Sequence, residues 1–366
     1  MGDILSIEAA GEIAWVPDTP RAIEGGFQVE TLYSGISAGT ELTFVKGLNP
    51  WMHASWNAVY GLFRPGQPSS PYPVRGFGYM QVGRVVASNT TAVDKGAVVA
   101  MAYGHRTAYT AHPLNDRFVV LPDDLDPLLG IYVAHMGPIC ANGLLHAAHD
   151  LHGSHVQALG DGVRGRRVAV TGAGVVGLLV ALFAEALGAA EVVVVDETAE
   201  RLRVAAALGL RTLSVHEDTP VELKKRWRHT QYDRGADVVF QCRGQARALA
   251  LALKLLRPQG TVIDLAFYTG GAEEVRLGEE FHHNGLSIRC AQIGRVPRGL
   301  AHAWDRERLS HETVAGLRIF GDALREHVIT DVVGFGQAPE LLADLAAGRR
   351  HAVQAVLGDH VQDQRG

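Results

Sequence analysis

The chain has 366 residues, of which 47% are hydrophobic and 20% charged, as expected for a globular protein of about two domains. Its formal net charge of −5 argues against a surface that binds nucleic acid or an anionic membrane. No basic stretch followed by an apolar run begins the chain, and three widely separated cysteines argue against a disulfide framework, so we expect a cytoplasmic protein.

The first part of the chain predicts a mostly β domain. Gly and Pro clusters separate alternating or continuous apolar runs, which lie at 28–33, 79–87, 97–102 and 118–121. Residues 49–73 contain many prolines and aromatic residues without a clean period, which is typical of a long binding loop. A helical stretch is predicted over 128–149.

A G-x-G-x-x-G motif follows a short apolar strand and begins a helix that is rich in Ala, Leu and Val. In this context Gly172 allows a tight turn, Gly174 lets the backbone approach a pyrophosphate, and Gly177 lets the helix pack closely on the strand. The phosphates would bind the free N–H groups of the first helical turn, which includes Val175 and Val176. The motif predicts a dinucleotide-binding site.

An acid at the end of the next strand, Asp196, predicts which dinucleotide binds. It lies about 20 residues beyond the last glycine, where a carboxylate accepts hydrogen bonds from the adenosine ribose and repels a 2′-phosphate. Arg201 and Arg203 follow, but neither comes directly after the acid. The pattern favours NAD(H) over NADP(H), with Arg201 among the predicted cofactor contacts.

From residue 166 onward strands and helices alternate as in a doubly wound parallel sheet, with strands predicted at 168–171, 192–196, 212–215, 237–242, 261–266 and 287–292. Because ligands bind at the carboxyl ends of such strands, the fourth and fifth strand ends predict contacts with nicotinamide or ribose, mainly through backbone groups. These residues are Cys242, Arg243, Leu265, Ala266 and Phe267.

This layout resembles the medium-chain dehydrogenase/reductase superfamily, to which the zinc alcohol dehydrogenases belong. Residues 34–41 look like the family's G-I-C-x-T-D segment, and residues 78–83 look like G-H-E-x-x-G. The resemblance implies an α/β protein with an N-terminal β-rich, GroES-like catalytic domain at 1–142 and a Rossmann NAD-binding domain at 143–295. It also implies that 296–366 return to the catalytic domain and that a homodimer forms through the sixth Rossmann strand.

The expected metal ligands are absent from this sequence. In zinc members of the superfamily a Cys, a His and an acid or second Cys bind the catalytic metal, whereas the matching positions here are Ser37 or Ala38, Tyr79 and Gly137. The structural zinc lobe is also missing. Four histidines recur every three residues from His146 to His155 without a carboxylate or cysteine beside them, so we expect no metal there either. The resemblance therefore implies a zinc-independent member.

Without zinc, a protein group must polarise the carbonyl and transfer the proton when hydride moves. Tyr79, at a former ligand position, is the first candidate, although simple packing with a capped hydroxyl explains it equally well. Thr40 matches the hydroxyl that passes the proton in zinc relatives, and Glu41 is either a base or the partner of a basic residue. His105 and His135 complete the set, because an imidazole pKa near ~6.5 suits proton transfer, but each also fits a structural role.

Together these features predict an NAD-dependent oxidoreductase that interconverts a secondary alcohol and a ketone. Its substrate would be a polar small molecule such as a sugar, a cyclitol or a natural-product intermediate. Two alternatives remain open: reduction of a polarised C=C bond, as in enoyl and quinone reductases, and a non-catalytic NAD-binding role.

Overall fold

The structure is a computed structural model that describes residues 2–19 and 24–358. Its strands are β1 (Gly2–Ala9), β2 (Glu12–Asp18), β3 (Phe27–Gly35), β4 (Ala54–Asn57), β5 (Leu62–Pro65), β6 (Val74–Arg75), β7 (Gln81–Ser88), β8 (Val98–Met101), β9 (Ala108–Ala111), β10 (Phe118–Val120), β11 (Arg167–Thr171), β12 (Glu191–Asp196), β13 (Arg211–Ser214), β14 (Ala236–Gln241), β15 (Leu256–Asp264), β16 (Ser287–Cys290), β17 (Ile329–Val333) and β18 (Gln354–Leu357).

The α-helices are α1 (Ala38–Val45), α2 (Met136–His152), α3 (Val175–Ala186), α4 (Ala199–Ala207), α5 (Thr219–Arg226), α6 (Ala246–Leu255), α7 (Arg306–His327) and α8 (Ala338–Ala347). Short 3-10 turns occupy Pro50–Met52, Pro127–Tyr132, Gly153–His155, Leu159–Gly162, Arg298–Leu300 and Phe335–Gln337, and a π-helical turn occupies Leu277–Phe281. Within the described ranges, no helix is both long enough and apolar enough to cross a bilayer.

The chain divides into two compact units. The first comprises the residues up to His135 together with those from Ile329 onward, and the second comprises Met136–Val328. The sequence predicted boundaries at 142/143 and 295/296 instead. The largest difference is the segment 296–328, which was expected to return to the catalytic domain and belongs to the second unit.

The first unit is built mainly of antiparallel sheet. Its largest sheet has the order β10-β8-β7-β3-β18-β17, with β9 also paired to β3, and a smaller sheet has the order β2-β1-β6. The late strand β18 completes the larger sheet by pairing antiparallel with β3 through Val356–Gly35 and Leu357–Ser34. The predicted loop 49–73 contains a 3-10 turn and the hairpin β4–β5, whose Trp56 and Phe63 rings lie 5.0 Å apart.

The second unit is a doubly wound parallel sheet with the strand order β13-β12-β11-β14-β15-β16. Its central strands are continuous runs of Val, Ile and Ala, because helices cover both faces of the sheet and leave no solvated side. Six strands of a doubly wound sheet were predicted from the alternation of apolar segments, and the α/β fold class is confirmed.

Helix α7 explains why residues 296–328 lie in the second unit. Its long apolar face packs against other helices of the second unit. Phe320 contacts Phe183 of α3 edge-to-face, with ring centroids 5.1 Å apart. Thr313 is fully buried and lies against Gly137 at the start of α2. A helix with one apolar face stabilises the unit against which that face is buried.

Candidate functional site

A buried acid–histidine pair lies in the first unit, where Glu41 belongs to the first turn of α1. The Glu41 carboxylate accepts a hydrogen bond from Nε2 of His105 at 2.9 Å, and the two side chains are 1% and 0% exposed. The other carboxylate oxygen accepts the backbone N–H of Ser37 at 2.8 Å. Of the two roles predicted for Glu41, the structure therefore shows the partner of a basic residue.

Further hydrogen bonds fix the His105 ring. Gln81 donates from Nε2 to the Ser34 hydroxyl at 3.0 Å, and that hydroxyl lies 2.8 Å from Nδ1 of His105. With Ser34 donating to Nδ1, the ring carries its proton on Nε2, and this N–H donates the hydrogen bond to Glu41. Gly78 has φ +94°, and a Cβ there would lie 2.6 Å from Nε2 of the ring, so this position leaves no room for a side chain.

A second cluster joins Ser37, Tyr79 and His135. The hydroxyls of Ser37 and Tyr79 share a short hydrogen bond. The Tyr79 ring also packs on the His135 imidazole, with centroids 4.5 Å apart and planes inclined by 48°. The uncertain register of the first motif is thereby settled: Ser37, and not Ala38, meets the residue at the second former ligand position.

Ser37 connects the two clusters, since its backbone binds Glu41 and its hydroxyl binds Tyr79. Sequence reasoning noted Ser37 only as a lost cysteine, although its place in the G-I-C-x-T-D-like segment was a sufficient signal.

Thr40, the other predicted hydroxyl, takes no part in either cluster. Its carbonyl accepts a bond from Thr43, and its hydroxyl makes no hydrogen bond within the part of the chain that the structure describes.

These residues do not fit the zinc site of zinc alcohol dehydrogenases. Zinc prefers thiolate, imidazole and carboxylate ligands, whereas the hydroxyls of Ser37 and Tyr79 bond to each other and Glu41 is already bound to His105. At the third position, a Cβ on Gly137 would lie 2.1 Å from Cγ2 of Thr313. Across residues 2–19 and 24–358, no three His, Cys, Asp or Glu side chains are grouped to hold a metal ion.

The glycine turn of the second unit fits a pyrophosphate. Gly172 has φ +103°, and a Cβ on Gly177 would lie 1.8 Å from the Gly172 carbonyl oxygen. The start of α3 therefore packs so close to the turn after β11 that only glycine fits at position 177. A Cβ on Gly174 would instead project into open space, with only Nη1 of Arg201 near, at 3.9 Å. The N-terminus of α3 thus presents its free N–H groups, and a nearby guanidinium, to an open cradle.

Asp196 holds this turn in place. One carboxylate oxygen accepts the backbone N–H of Ala173 at 2.8 Å, and the other accepts that of Thr198 at 2.7 Å. The residue is only 2% exposed. Its carboxylate thus fixes the glycine turn besides placing negative charge at the end of β12.

Arg243 extends from the end of β14 toward Asp196. Its guanidinium lies 3.4 Å from Asp196 and also pairs with Glu197, to which Arg247 donates at 3.0 Å. The ion pairs place two carboxylates and two guanidinium groups together at the predicted adenosine end. The Cys242 side chain is half-buried, and burial raises the pKa of its thiol well above the usual range.

The end of β15 contains a buried polar network that the sequence did not indicate. Asp264 accepts the N–H of Ala266 at 3.0 Å and the hydroxyl of Tyr268, and burial raises the pKa of its carboxyl. Gln241, fully buried at the end of β14, donates to the same Tyr268 hydroxyl at 3.1 Å. The predicted contacts Leu265, Ala266 and Phe267 follow directly, and Phe267 is 40% exposed.

Comparisons with known proteins agree with this architecture. Residues 175–306 match the family model described as zinc-binding dehydrogenase. The chain is 26% identical to D-guloside 3-dehydrogenase of Shigella flexneri over 306 residues, which are 82% of this chain and 83% of that protein. The structure of 2R,3R-butanediol dehydrogenase from Bacillus subtilis superposes with a TM-score of 0.72 at 17% identity, covering 98% of this chain and 100% of the other. A protein of Sinorhizobium meliloti 1021 described as a zinc-binding dehydrogenase and bound to NADP gives 0.70 at 19% identity, covering 98% and 99%.

The fold is that of the medium-chain alcohol dehydrogenases. The family match covers residues 175–306 alone, and the relative that covers most of the chain is a dehydrogenase at 26% identity.

Proposed function

We propose that this protein is a zinc-independent, NAD(H)-dependent oxidoreductase that interconverts a secondary alcohol and a ketone on a polyhydroxylated small molecule. The observation on which this rests is the Ser37–Tyr79 hydroxyl pair, packed on His135, at positions where zinc relatives have metal ligands. D-guloside 3-dehydrogenase among the relatives supports a sugar or cyclitol as substrate.

The bound nicotinamide supplies or accepts the hydride, and the protein manages the proton. When a ketone is reduced, the Tyr79 hydroxyl gives its proton to the substrate oxygen and regains one from solvent, and in alcohol oxidation the proton moves the opposite way. The Ser37 hydroxyl orients Tyr79 through their shared bond. The His135 imidazole packs on the phenol ring, with the ring centroids 4.5 Å apart, and a histidine beside the hydroxyl pair is the second candidate to carry the proton.

Glu41 and His105 act as positioning residues for this pair. Glu41 binds the backbone N–H of Ser37, so its orientation fixes where the Ser37 hydroxyl points. His105 in turn fixes Glu41, and Ser34 with Gln81 fixes His105. A fully hydrogen-bonded buried network of this kind holds catalytic groups in one geometry.

The coenzyme preference follows from the charges at the end of β12. A 2′-phosphate on the adenosine ribose would meet the exposed Glu197 carboxylate and the negative charge of Asp196 buried behind it. The two arginines nearby, Arg243 and Arg247, already share Glu197 and offer a phosphate less free positive charge. This arrangement favours NAD(H).

The function is tested by following coenzyme absorbance while polyols and the corresponding ketoses are supplied with NAD(H) or NADP(H). We expect turnover of secondary alcohols with a higher kcat/KM for NAD. Turnover of activated alkenes alone would support C=C reduction instead, and binding of NAD without turnover of any substrate would support a non-catalytic role.

The same proposal includes a homodimer joined through β16. This strand is the last of the sheet order, and its outer edge pairs with no other strand in the described part of the chain. An exposed strand edge favours pairing with a second copy. Light scattering coupled to size exclusion should give the mass of a dimer, and a monomer would contradict this part.

A further inference from the structure

A strongly basic cavity lies in the second unit, at the carboxyl end of β16. Its volume is about 800 Å³, within the range of small-molecule sites. Its basic lining comes from β16, from α2 and from the segment that leads into α7, namely His146, His149, Arg289, Arg295, Arg298 and Arg306.

The positive charge of this cavity is poorly balanced. Arg289 pairs with Asp150 at 3.1 Å, but neither Arg295 nor Arg298 has an ion-pair partner among the described residues. The one carboxylate in the lining, Asp305, accepts the backbone N–H of Arg308 at 2.8 Å as the N-cap of α7. Unpaired guanidinium groups in a concave surface attract and orient an anion.

His146 lies at the inner wall and adds a polar group rather than a positive charge at neutral pH. Its ring nitrogens are buried and meet no hydrogen-bond geometry within the described residues. Burial, together with the charges of Arg289 and His149, lowers the pKa of His146 to about 4, against an opposing effect of the Arg295 backbone. Trp304 also lines the cavity, with the Arg308 guanidinium 3.5 Å from the centre of its ring.

The cavity lies beside β16, which follows β14 and β15 in the sheet order. A dinucleotide bound as in other doubly wound sheets would extend along the carboxyl edge from β12, past the glycine turn after β11, toward β14 and β15. The next strand in that direction is β16, and the cavity begins at its last residues, Arg289 and Cys290. In that arrangement an anion bound beside β16 would lie on the nicotinamide side of the sheet.

We infer that this cavity binds an anionic group of the substrate, a phosphate or a carboxylate, through Arg295 and Arg298. The preferred substrates are then anionic polyols, such as polyol phosphates or sugar acids, over their neutral parents. That the anion belongs to a substrate rests on the proposed function. The binding of an anion in this cavity does not depend on it.

The first test is anion binding to the full-length protein saturated with NAD, so that the pyrophosphate cradle is filled. Inorganic phosphate, acetate and glycerol are titrated while Trp304 fluorescence or heat is followed. The variants are Arg295→Gln, Arg298→Gln and the double variant, with Arg276→Gln as control, because Arg276 is exposed and lies outside the cavity. Circular dichroism and thermal unfolding establish that each variant folds.

We expect one phosphate or acetate per chain, no binding of glycerol, at least tenfold weaker anion binding in the double variant and no change in Arg276→Gln. Tighter phosphate than acetate binding would identify polyol phosphates, and the reverse would identify sugar acids. Anion binding that is absent, or equal in the folded double variant and the wild type, would overturn the inference.

The second test compares kcat/KM for a polyol phosphate, a sugar acid and the neutral polyol. We expect a preference for one anionic substrate that falls at least tenfold in the double variant, while turnover of the neutral polyol is retained. Turnover without any anionic preference would overturn the inference and leave the proposed function intact. Anion binding at these arginines without hydride transfer to any substrate would overturn the proposed function and leave the anion site intact.

Discussion

Glu41 and His105 are 64 residues apart in the sequence and form a hydrogen-bonded pair at 2.9 Å that is shielded from solvent. The pair lies one hydrogen bond from Ser37 and two from the Tyr79 hydroxyl. A substitution in it should therefore affect both the stability of the first unit and the geometry of the hydroxyl pair.

We predict that Glu41→Ala destabilises the protein by about 3 kcal/mol or more, because it leaves His105 and the Ser37 N–H buried without their acceptor. Glu41→Gln should cost less, since its amide oxygen still accepts from Ser37. Urea unfolding followed by tryptophan fluorescence measures both values. Equal stability of wild type and Glu41→Ala would show that the pair contributes nothing to folding.

We predict that Tyr79→Phe lowers kcat about 100-fold or more, the usual contribution of a positioned acid–base group, while NAD binding is unchanged. Steady-state kinetics and NAD titration separate the two effects. Tyr60→Phe is the matched control, because Tyr60 is 69% exposed and lies in the turn between β4 and β5. A variant with wild-type kcat would remove Tyr79 from the proposed mechanism.

We predict that Glu197→Gln increases the use of NADP. The substitution removes one carboxylate and releases Arg243 and Arg247 from their shared partner, so both can approach a 2′-phosphate. The ratio of kcat/KM for NADP to that for NAD should rise about tenfold, which corresponds to ~1.4 kcal/mol. Glu200→Gln is the control, because Glu200 is 71% exposed and pairs with Arg203, away from Arg243 and Arg247. An unchanged ratio would argue against these charges as the source of preference.

We predict a stability loss in mild acid that depends on His146. Its pKa falls from 6.5 to about 4 on folding, so the unfolded state binds the proton more readily between these values. The contribution is complete above about pH 6.5 and is lost as the pH falls toward 4, for a total of about 3 kcal/mol. Urea unfolding of wild type and His146→Gln at pH 7 and pH 4.5 should show a steeper loss in the wild type. Parallel pH profiles would contradict this.

The local parts of this structure could be predicted from the sequence. The glycine turn, the acid after β12 and the six parallel strands each depend on neighbouring residues, whose spacing fixes their geometry. The tail was harder: α7 packs by its apolar stripe, but periodicity does not reveal which unit provides the partner, here Phe183 and Gly137.

The candidate site required tertiary contacts. Glu41, His105, Tyr79 and His135 were named from the resemblance, yet their pairing joins strands and loops that are far apart in sequence. Asp264 was hidden in an apolar strand pattern, and only the fold shows that it is buried beside Tyr268. The basic cavity could not be predicted, because its arginines lie on β16 and on the segment after it, and no spacing in the sequence indicates that they line one cavity.

The central claim is that protein hydroxyls, and not zinc, transfer the proton. The most direct measurement is the metal content of purified, active protein by mass spectrometry, together with turnover before and after prolonged treatment with a chelator. We predict zinc far below one ion per chain and the same turnover after chelation. Stoichiometric zinc whose removal abolishes turnover, and whose return restores it, would contradict the claim.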